Sequence, residues 1–394
     1  MYPTIYHAIL DLTGLDLPFL KFLNSFGFFV ALAFVFASWT LGLELRRKEG
    51  QGFLKAAMRK VTVGLPATPG ELIWSGLLGF LLGWKGLHLA LNFTASTADP
   101  QGFLLSSQGN FFGGILVGGL MAWLKWREKD KVKLAEPKTE IIRIEPGDHA
   151  GNITMVAALW GIVGAKLFHW LENPDEFMAF IKNPGGEGVF SGLTMYGGLI
   201  VAGSMVIRYF RTNGIPVWHG ADSAAPGVML AYAIGRIGCQ VSGDGDWGIV
   251  NNAPAPAWMP SWLWSYSYPN NVNSVGVPFT GSPCFEGYCT VLPEPVWPTP
   301  VYETIVCVGF FFLLWALRKR ITTPGVIFFL FLLLNGVERF FIEKIRVNVA
   351  FAGSWTQAEV ISLILVIAGA AGIIWRTRSK AETTAQEAEA ETDQ

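Results

Sequence analysis

Two blocks of this sequence set ionisable residues into apolar surroundings. The first is 235–248, GRIGCQVSGDGDWG, which closes an apolar run and opens a segment, 242–299, containing no lysine or arginine. The second is 335–346, NGVERFFIEKIR. In it Asn335, Arg339, Glu343 and Arg346 recur at helical spacing and form one stripe. Arg339 and Glu343, four residues apart, can pair directly. Arg236 adds a third guanidinium near the end of an apolar run, and charge held in such a place is costly and marks function. Three arginines against one glutamate leave positive charge uncompensated, and a guanidinium fork suits a phosphate bidentately. The expected chemistry is therefore capture of an anionic headgroup or phosphate by Arg236, Arg339 and Arg346, with Glu343 holding Arg339. The competing explanation is structural pairing of Arg339 with Glu343 and an Arg236 that merely reaches toward the headgroups. Asp244 and Asp246 lie past the run and are expected to face solvent. Glycines at 235, 238, 243, 245 and 248 permit tight turns and close approach of a ligand.

Other candidates are weaker. Tyr196-Gly197-Gly198 offers a phenol beside two glycines, for which core packing is the simpler reading. Tyr302 and Glu303 place a phenol and an acid near the start of another apolar run. The five histidines have no metal-ligand spacing, and no P-loop or dinucleotide fingerprint sits on a strand–helix unit. No metal and no cofactor are expected.

The elements that must position these residues are membrane spans. Half of the 394 residues are hydrophobic (51%), only 15% are charged, and apolar runs near 20 residues recur along the chain. A net charge of −1 suggests no nucleic-acid partner. The fold class is thus an all-α polytopic membrane bundle with about nine spans: roughly 22–44, 71–93, 107–126, 152–171, 191–210, 220–241, 300–317, 324–345 and 357–376. No basic region precedes the first run, so the first span itself is expected to direct insertion rather than a cleaved leader. Segments 45–70, 125–148, 208–213, 318–323 and 376–380 hold 21 of the 29 lysines and arginines. That asymmetry places these segments and the C-terminus in the cytoplasm, and the N-terminus and the 242–299 loop outside.

The chain divides into 1–45, an N-terminal segment with the first span; 46–147, a helical hairpin with basic cytoplasmic loops; 148–376, a membrane core that includes the 242–299 loop; and 377–394, an acidic tail without core-forming residues, expected to be disordered. An internal repeat is visible. GWKGLH at 83–88 matches GAKLFH at 164–169, and NFFGGILVGG at 110–119 echoes TMYGGLIVAG at 194–203. This pattern reads as a duplicated hairpin rather than a chance likeness of small-residue spans. Cys284 and Cys289 lie in the outward loop, where a short disulfide is expected.

In order, these pieces resemble the bacterial prolipoprotein diacylglyceryl transferase family. The carrying residues are Phe26-Gly27, Gly164-Ala165-Lys166 with LENPDEF, Tyr196-Gly197-Gly198-Leu199, Gly235-Arg236-Ile237-Gly238, Pro298 with Val301-Tyr302-Glu303, and Gly336, Arg339-Phe340, Glu343 and Arg346. The resemblance covers roughly 20–45 and 148–376, and 46–147 reads as an insertion into a seven-span plan. It implies an enzyme of the bacterial cytoplasmic membrane that moves the diacylglyceryl group of phosphatidylglycerol onto the lipobox cysteine of a preprolipoprotein and releases glycerol phosphate. Its partners would be phosphatidylglycerol, the lipobox segment and membrane lipids, with the chain acting as a monomer. Arg236, Arg339 and Tyr196 would be catalytic. Gly197, Gly198, Gly238, Ser242, Asp244, Tyr302, Glu343 and Arg346 would contact substrate.

The chain departs from the family at several of these positions. The family has tyrosine at Phe26, histidine at Tyr196, Asn-Phe at Cys239-Gln240, Asn-x-Glu at Ser242-Gly243-Asp244, and tyrosine at Asn335. The phosphate-handling arginines are kept and the candidate general base is not. A thiol with a pKa near 8.5 is partly ionised near neutrality, and Asp244, Asp246 or His169 are the substitutes the sequence offers. Two alternatives stay open on the same scaffold: a lipid-binding or transport protein without catalysis, and a transferase with another donor or acceptor.

The orientation is testable by reporter fusion. Fusions after Lys60, Lys133 and Arg378 should read cytoplasmic and one near Asn271 should read outside; a cytoplasmic signal at Asn271 overturns the assignment.

Overall fold

The structure is a computed structural model that describes residues 1–93, 103, 106–182, 192–285, 287–347, 350–352 and 355–392. Among these residues it is an all-α membrane architecture of nine long helices: α2 (Ser25–Gly50), α3 (Pro69–Leu91), α4 (Phe111–Lys131), α5 (Ala150–Glu172), α7 (Met195–Thr212), α8 (Val217–Ser242), α9 (Thr299–Leu317), α10 (Val326–Glu343) and α11 (Gln357–Thr392). Shorter helices include α1 (Ile5–Thr13) and α6 (Pro174–Lys182). Each long helix covers most of one expected span. Five stretches, including α2, α3 and α9, are long and apolar enough to cross a membrane by length and composition alone. Helix α10 is excluded because Glu338, Arg339 and Glu343 interrupt its apolar run. Charge concentrates where the chemistry was expected.

Local signals set the helix ends. Asn24 accepts from the backbone N–H groups of Phe26 and Gly27 to start α2, and Thr68 with Glu71 forms a capping box at α3. Gly243, at φ +65°, closes α8 in the left-handed conformation and donates its N–H to the Cys239 carbonyl.

The chain forms two compact units. The first comprises 1–55, 145–161 and 199–394. Among the described residues its core has three apolar clusters, one around Leu41, Leu45, Ile153 and Phe210, a second around Met229, Ala233, Cys307, Leu314 and Ile327, and a smaller one of Tyr268, Leu292 and Val296 in the 242–299 loop. Glycines let its helices touch. A Cβ at Gly238 would fall 2.9 Å from the Cβ of Phe29, and one at Gly336 would fall 2.6 Å from the Ser362 carbonyl oxygen, so α8 meets α2 and α10 meets α11 at backbone distance. At the far end of α8 the buried Asp222 carboxylate accepts the N–H groups of Gly325 and Phe328 (2.7 and 2.9 Å). One helix thus caps the start of another and fixes where α10 begins.

The second unit comprises 56–144 and 162–198, and the repeat is physically present in it. A Cβ at Gly113 would meet the Leu87 Cβ and the Gly83 carbonyl oxygen (2.6 and 2.7 Å); one at Gly197 would meet the Phe168 Cβ and the Gly164 carbonyl oxygen (2.2 and 2.7 Å). The Asn110 N–H donates to the Trp84 carbonyl (2.7 Å), and the Thr194 N–H donates to the Ala165 carbonyl (3.1 Å). Every one of these residues falls at the position that the sequence match aligns. Gly197 is therefore occupied by helix packing.

Two features differ from the sequence reading. The segments expected as basic loops pair as an antiparallel ribbon, β1 (Ala57–Val63) with β2 (Lys138–Ile144), because the β-branched residues at 61–63, 139, 141, 142 and 144 favour extended backbone despite the charge among them. Helix α11 continues to Thr392 through a stretch read as disordered tail; its Ala- and Glu-rich composition has high helix propensity. Residues 393 and 394 of that tail lie outside the described residues.

A Cβ at Gly83 would fall 2.2 Å from the Gly113 oxygen, whereas one at Gly86 meets nothing within 4 Å. Gly83→Leu should cost about 1–3 kcal/mol of stability through overpacking, and Gly86→Leu should cost little. Thermal unfolding in detergent compares them, and equal midpoints would refute the close packing.

Candidate functional site

Arg236 lies 8% exposed in the last turns of α8. Its Nε donates to Oε2 of Glu303 at 2.6 Å, and its NH1 bonds Asp246. Arg346, just after α10, bonds the other Asp246 oxygen and reaches Glu303 Oε1 at 3.5 Å. Two guanidiniums and two carboxylates thus form a closed ring of ion pairs, with Glu303 wholly buried and Asp246 about one-third exposed. Arg339 stands outside the ring, with its NH2 2.9 Å from Glu343 Oε2. Its buried Nε has no hydrogen-bond partner among the described residues. It lies within electrostatic reach of Tyr232, Glu303 and Arg236.

The loop after α8 is built to deliver Asp246. Gly243 turns the chain at positive φ, and Gly245 follows at φ +98°. The Asp246 N–H donates to the Asp244 carboxylate at 3.3 Å, and the Asp246 carbonyl accepts from the Thr299 hydroxyl at 2.7 Å. A Cβ at Gly248 would sit 2.4 Å from the Ile345 carbonyl oxygen, and the Ile249 N–H donates to that same oxygen at 2.9 Å. Only glycine lets this loop lie against the chain beside Arg346. Burial, and then the neighbouring Asp246, raise the pKa of Asp244 above the ordinary carboxylate range.

Two sequence expectations are corrected here. Asp246 is not simply a solvent-facing acid; about one-third exposed, it bridges two arginines. Nor do the arginines stand against a single glutamate, because Asp246, Glu303 and Glu338 join Glu343 around them. The fold brings together acids spread over nearly a hundred residues, from 246 to 343, and local reading could not count them as neighbours. Tyr232 was missed as well. Its hydroxyl donates to Glu303 Oε2 at 2.6 Å and lies 3.5 Å from Glu338 Oε2, while the Arg236 guanidinium stacks over its ring. The available signal was its place one turn before Arg236 on the same helix face.

The other named residues divide by role. Ser242 is buried and donates to the Gly238 carbonyl at 2.8 Å, closing the helix end. The Tyr302 hydroxyl donates to the Leu263 carbonyl at 2.6 Å and so ties the 242–299 loop to α9. Tyr196, Gly197, Gly198 and His169 belong to the second unit, where His169 bonds Glu176 at 2.8 Å. Cys284 and Cys289 are joined by a disulfide. Cys239 Sγ and the carboxylates of Asp244 and Asp246 lie within 4.8 Å of one another, but two guanidiniums bonded to Asp246 oppose a cation there.

A family model described as prolipoprotein diacylglyceryl transferase matches residues 132–375. A phosphatidylglycerol–prolipoprotein diacylglyceryl transferase of Leptospira interrogans is 26% identical over 294 residues, covering 61% of this chain and 84% of its own length. One from Dehalococcoides mccartyi is 28% identical over 293 residues (72% and 96%), and one from Thermus thermophilus is 31% identical over 230 residues (55% and 79%).

Removing Glu303 should leave two buried arginines sharing one carboxylate. Breaking a buried pair in this way costs about 3–5 kcal/mol, whereas the exposed Glu294 should change stability by no more than about 0.5 kcal/mol. Denaturant unfolding of Glu303→Ala and Glu294→Ala measures the difference, and equal losses would discard the ring as a structural element.

Proposed function

The chain belongs to the prolipoprotein diacylglyceryl transferase family, and on that premise we infer that it transfers the diacylglyceryl group of phosphatidylglycerol to the cysteine thiol of preprolipoproteins. It is an integral membrane transferase. The thiol sulfur forms a bond to a glycerol carbon, the bond from that carbon to the phosphate oxygen breaks, and the electron pair stays on the departing glycerol phosphate. Negative charge therefore grows on the phosphate as the reaction proceeds, and donors held ready for it lower the barrier.

The observation that carries the site assignment is Arg339. It is a largely enclosed guanidinium paired with Glu343, with its buried Nε unused among the described residues. We assign it the phosphate, with Glu343 setting its orientation. Arg236 and Arg346 are the other candidates, and both are already bonded to carboxylates. Of these, Asp246 is one-third exposed on a glycine-flanked loop, whereas Glu303 is fully enclosed. A phosphate that reaches Arg236 takes the place of Asp246 and keeps the ring's charge balanced. Gly238, Ser242, Asp244 and Tyr302 then serve by holding this loop and helix end, and Tyr196 with its two glycines by packing, rather than by contact with substrate.

The basic-residue distribution supports an outward-facing site, with the N-terminus and the 242–299 loop outside the cytoplasmic membrane and the C-terminus inside. The recognised thiol is then that of a lipobox segment emerging on that side. One chain completes the ring by itself, which supports a monomer as the active unit.

The test is thiol lipidation of a lipobox peptide in vesicles containing phosphatidylglycerol. Arg339→Ala and Arg236→Ala should each lose about 10²–10³ in rate. Arg236→Lys should fail nearly as badly as the alanine variant, because an ammonium cannot reproduce the fork. Glu343→Gln should lose less than Glu343→Ala. Full activity in a folded Arg339→Ala removes that residue from the mechanism, and an inactive parent protein that still binds phosphatidylglycerol favours the lipid-binding reading.

A further inference from the structure

Three of the carboxyl side chains around the arginines are held by guanidiniums: Asp246 and Glu303 in the ring, Glu343 on Arg339. Glu338 is not. It is buried on α10, 6% exposed, and makes no ion pair among the described residues. Its Oε1 has no hydrogen-bond partner there, and its Oε2 lies 3.5 Å from a Tyr232 hydroxyl whose closer bond goes to Glu303. The groups that face it are Tyr232 and Arg236 from α8, Glu303 and Cys307 from α9, and Arg339 on its own helix. The acid of α11, Glu359, is bonded to Lys344 at the helix start.

A carboxyl without an ion pair in such a place is strongly disfavoured in its charged form, because burial strips its hydration. The reaction has a use for one. A thiol with a pKa near 8.5 is only a few per cent ionised at neutral pH, so its attack is faster when a base takes the proton. Carboxylates clamped by guanidiniums are poor bases, because protonation sacrifices an ion pair. Glu338 has an unoccupied oxygen and no ion pair to lose.

We propose that Glu338 is the catalytic base that takes the proton of the acceptor thiol, with Tyr232 as the residue that positions its carboxyl against Glu303. The S–H bond breaks and the proton passes to Glu338 Oε1. The thiolate then bonds to the glycerol carbon, the carbon–oxygen bond to the phosphate breaks, and its electron pair remains on the phosphate oxygen. Glu338 returns the proton to the departing glycerol phosphate, so the step neither consumes nor needs a further reactant. The assignment rests on the transferase reading above.

The experiment compares the full-length parent, E338Q and E338D in phosphatidylglycerol vesicles, with lipobox peptides carrying either cysteine or selenocysteine. A selenol is already ionised at neutral pH and needs no base. With the cysteine peptide, E338Q should lose about 10²–10⁴ in kcat, the usual worth of a positioned base. The KM for phosphatidylglycerol should stay within about 3-fold on the same argument. The loss should shrink as pH rises toward the thiol pKa, and should largely vanish with the selenocysteine peptide. Equal losses on both peptides, a loss independent of pH, or a kcat near that of the parent overturns the assignment. If E338Q does not fold, E338D decides, since a retracted carboxylate must slow the thiol more than the selenol. A parent protein inactive on both peptides overturns the transferase reading instead, and this assignment with it.

Discussion

Everything at the C-terminal end of α8 depends on closing the ring of Arg236, Asp246, Arg346 and Glu303. Taking one guanidinium out of water costs several kcal/mol even after relaxation, and two side by side repel each other as well. Two carboxylates placed between them remove both penalties, provided that all four arrive together. They come from α8, the loop after it, α9 and the segment after α10, so the ring holds four stretches of chain in one relation. The glycines at 243, 245 and 248 are the local means: two turn the loop at positive φ and the third lets it rest on the backbone at Ile345.

A balanced ring is stable, and a balanced ring is also slow to bind an anion. The structure separates these demands by residue. Arg236 and Arg346 are satisfied within the chain, while among the described residues Arg339 keeps a donor and Glu338 keeps an acceptor without a partner. Those two are consecutive in sequence, so their side chains leave α10 about 100° apart and can serve a phosphate and a thiol separately. Tyr232, reaching both Glu303 and Glu338, links the ring to this second pair.

The second unit shows membrane helix pairs held at their crossings by backbone approach rather than by a ring of ion pairs. Its two hairpins are held by backbone approach at Gly83 with Gly113 and at Gly164 with Gly197, with a bulky partner, Leu87 or Phe168, over each crossing. In lipid there is no hydrophobic drive to bring helices together, so contact at glycine supplies the attraction. Recurrence of the same contacts at aligned positions is stronger support for duplication than the residue match alone, because chance similarity would not reproduce the geometry.

The sequence by itself determined the membrane class, because apolar runs near span length need no partner to be recognised. It likewise identified the approximate long helices, the repeat, and the i, i+4 pair of Arg339 with Glu343, each of which is periodic or local. The arginines were legible because charge in an apolar run is conspicuous wherever the chain goes. Their partners were not. Asp246 read as a solvent-facing residue because it follows a span, and Glu303 and Glu338 went unassigned because nothing nearby in sequence says which cation they meet. Ion pairing inside a membrane protein is decided by which helix ends share a depth and a side. That is a property of packing, set here by glycines at helix crossings and by one tight loop, and only the tertiary structure supplies it.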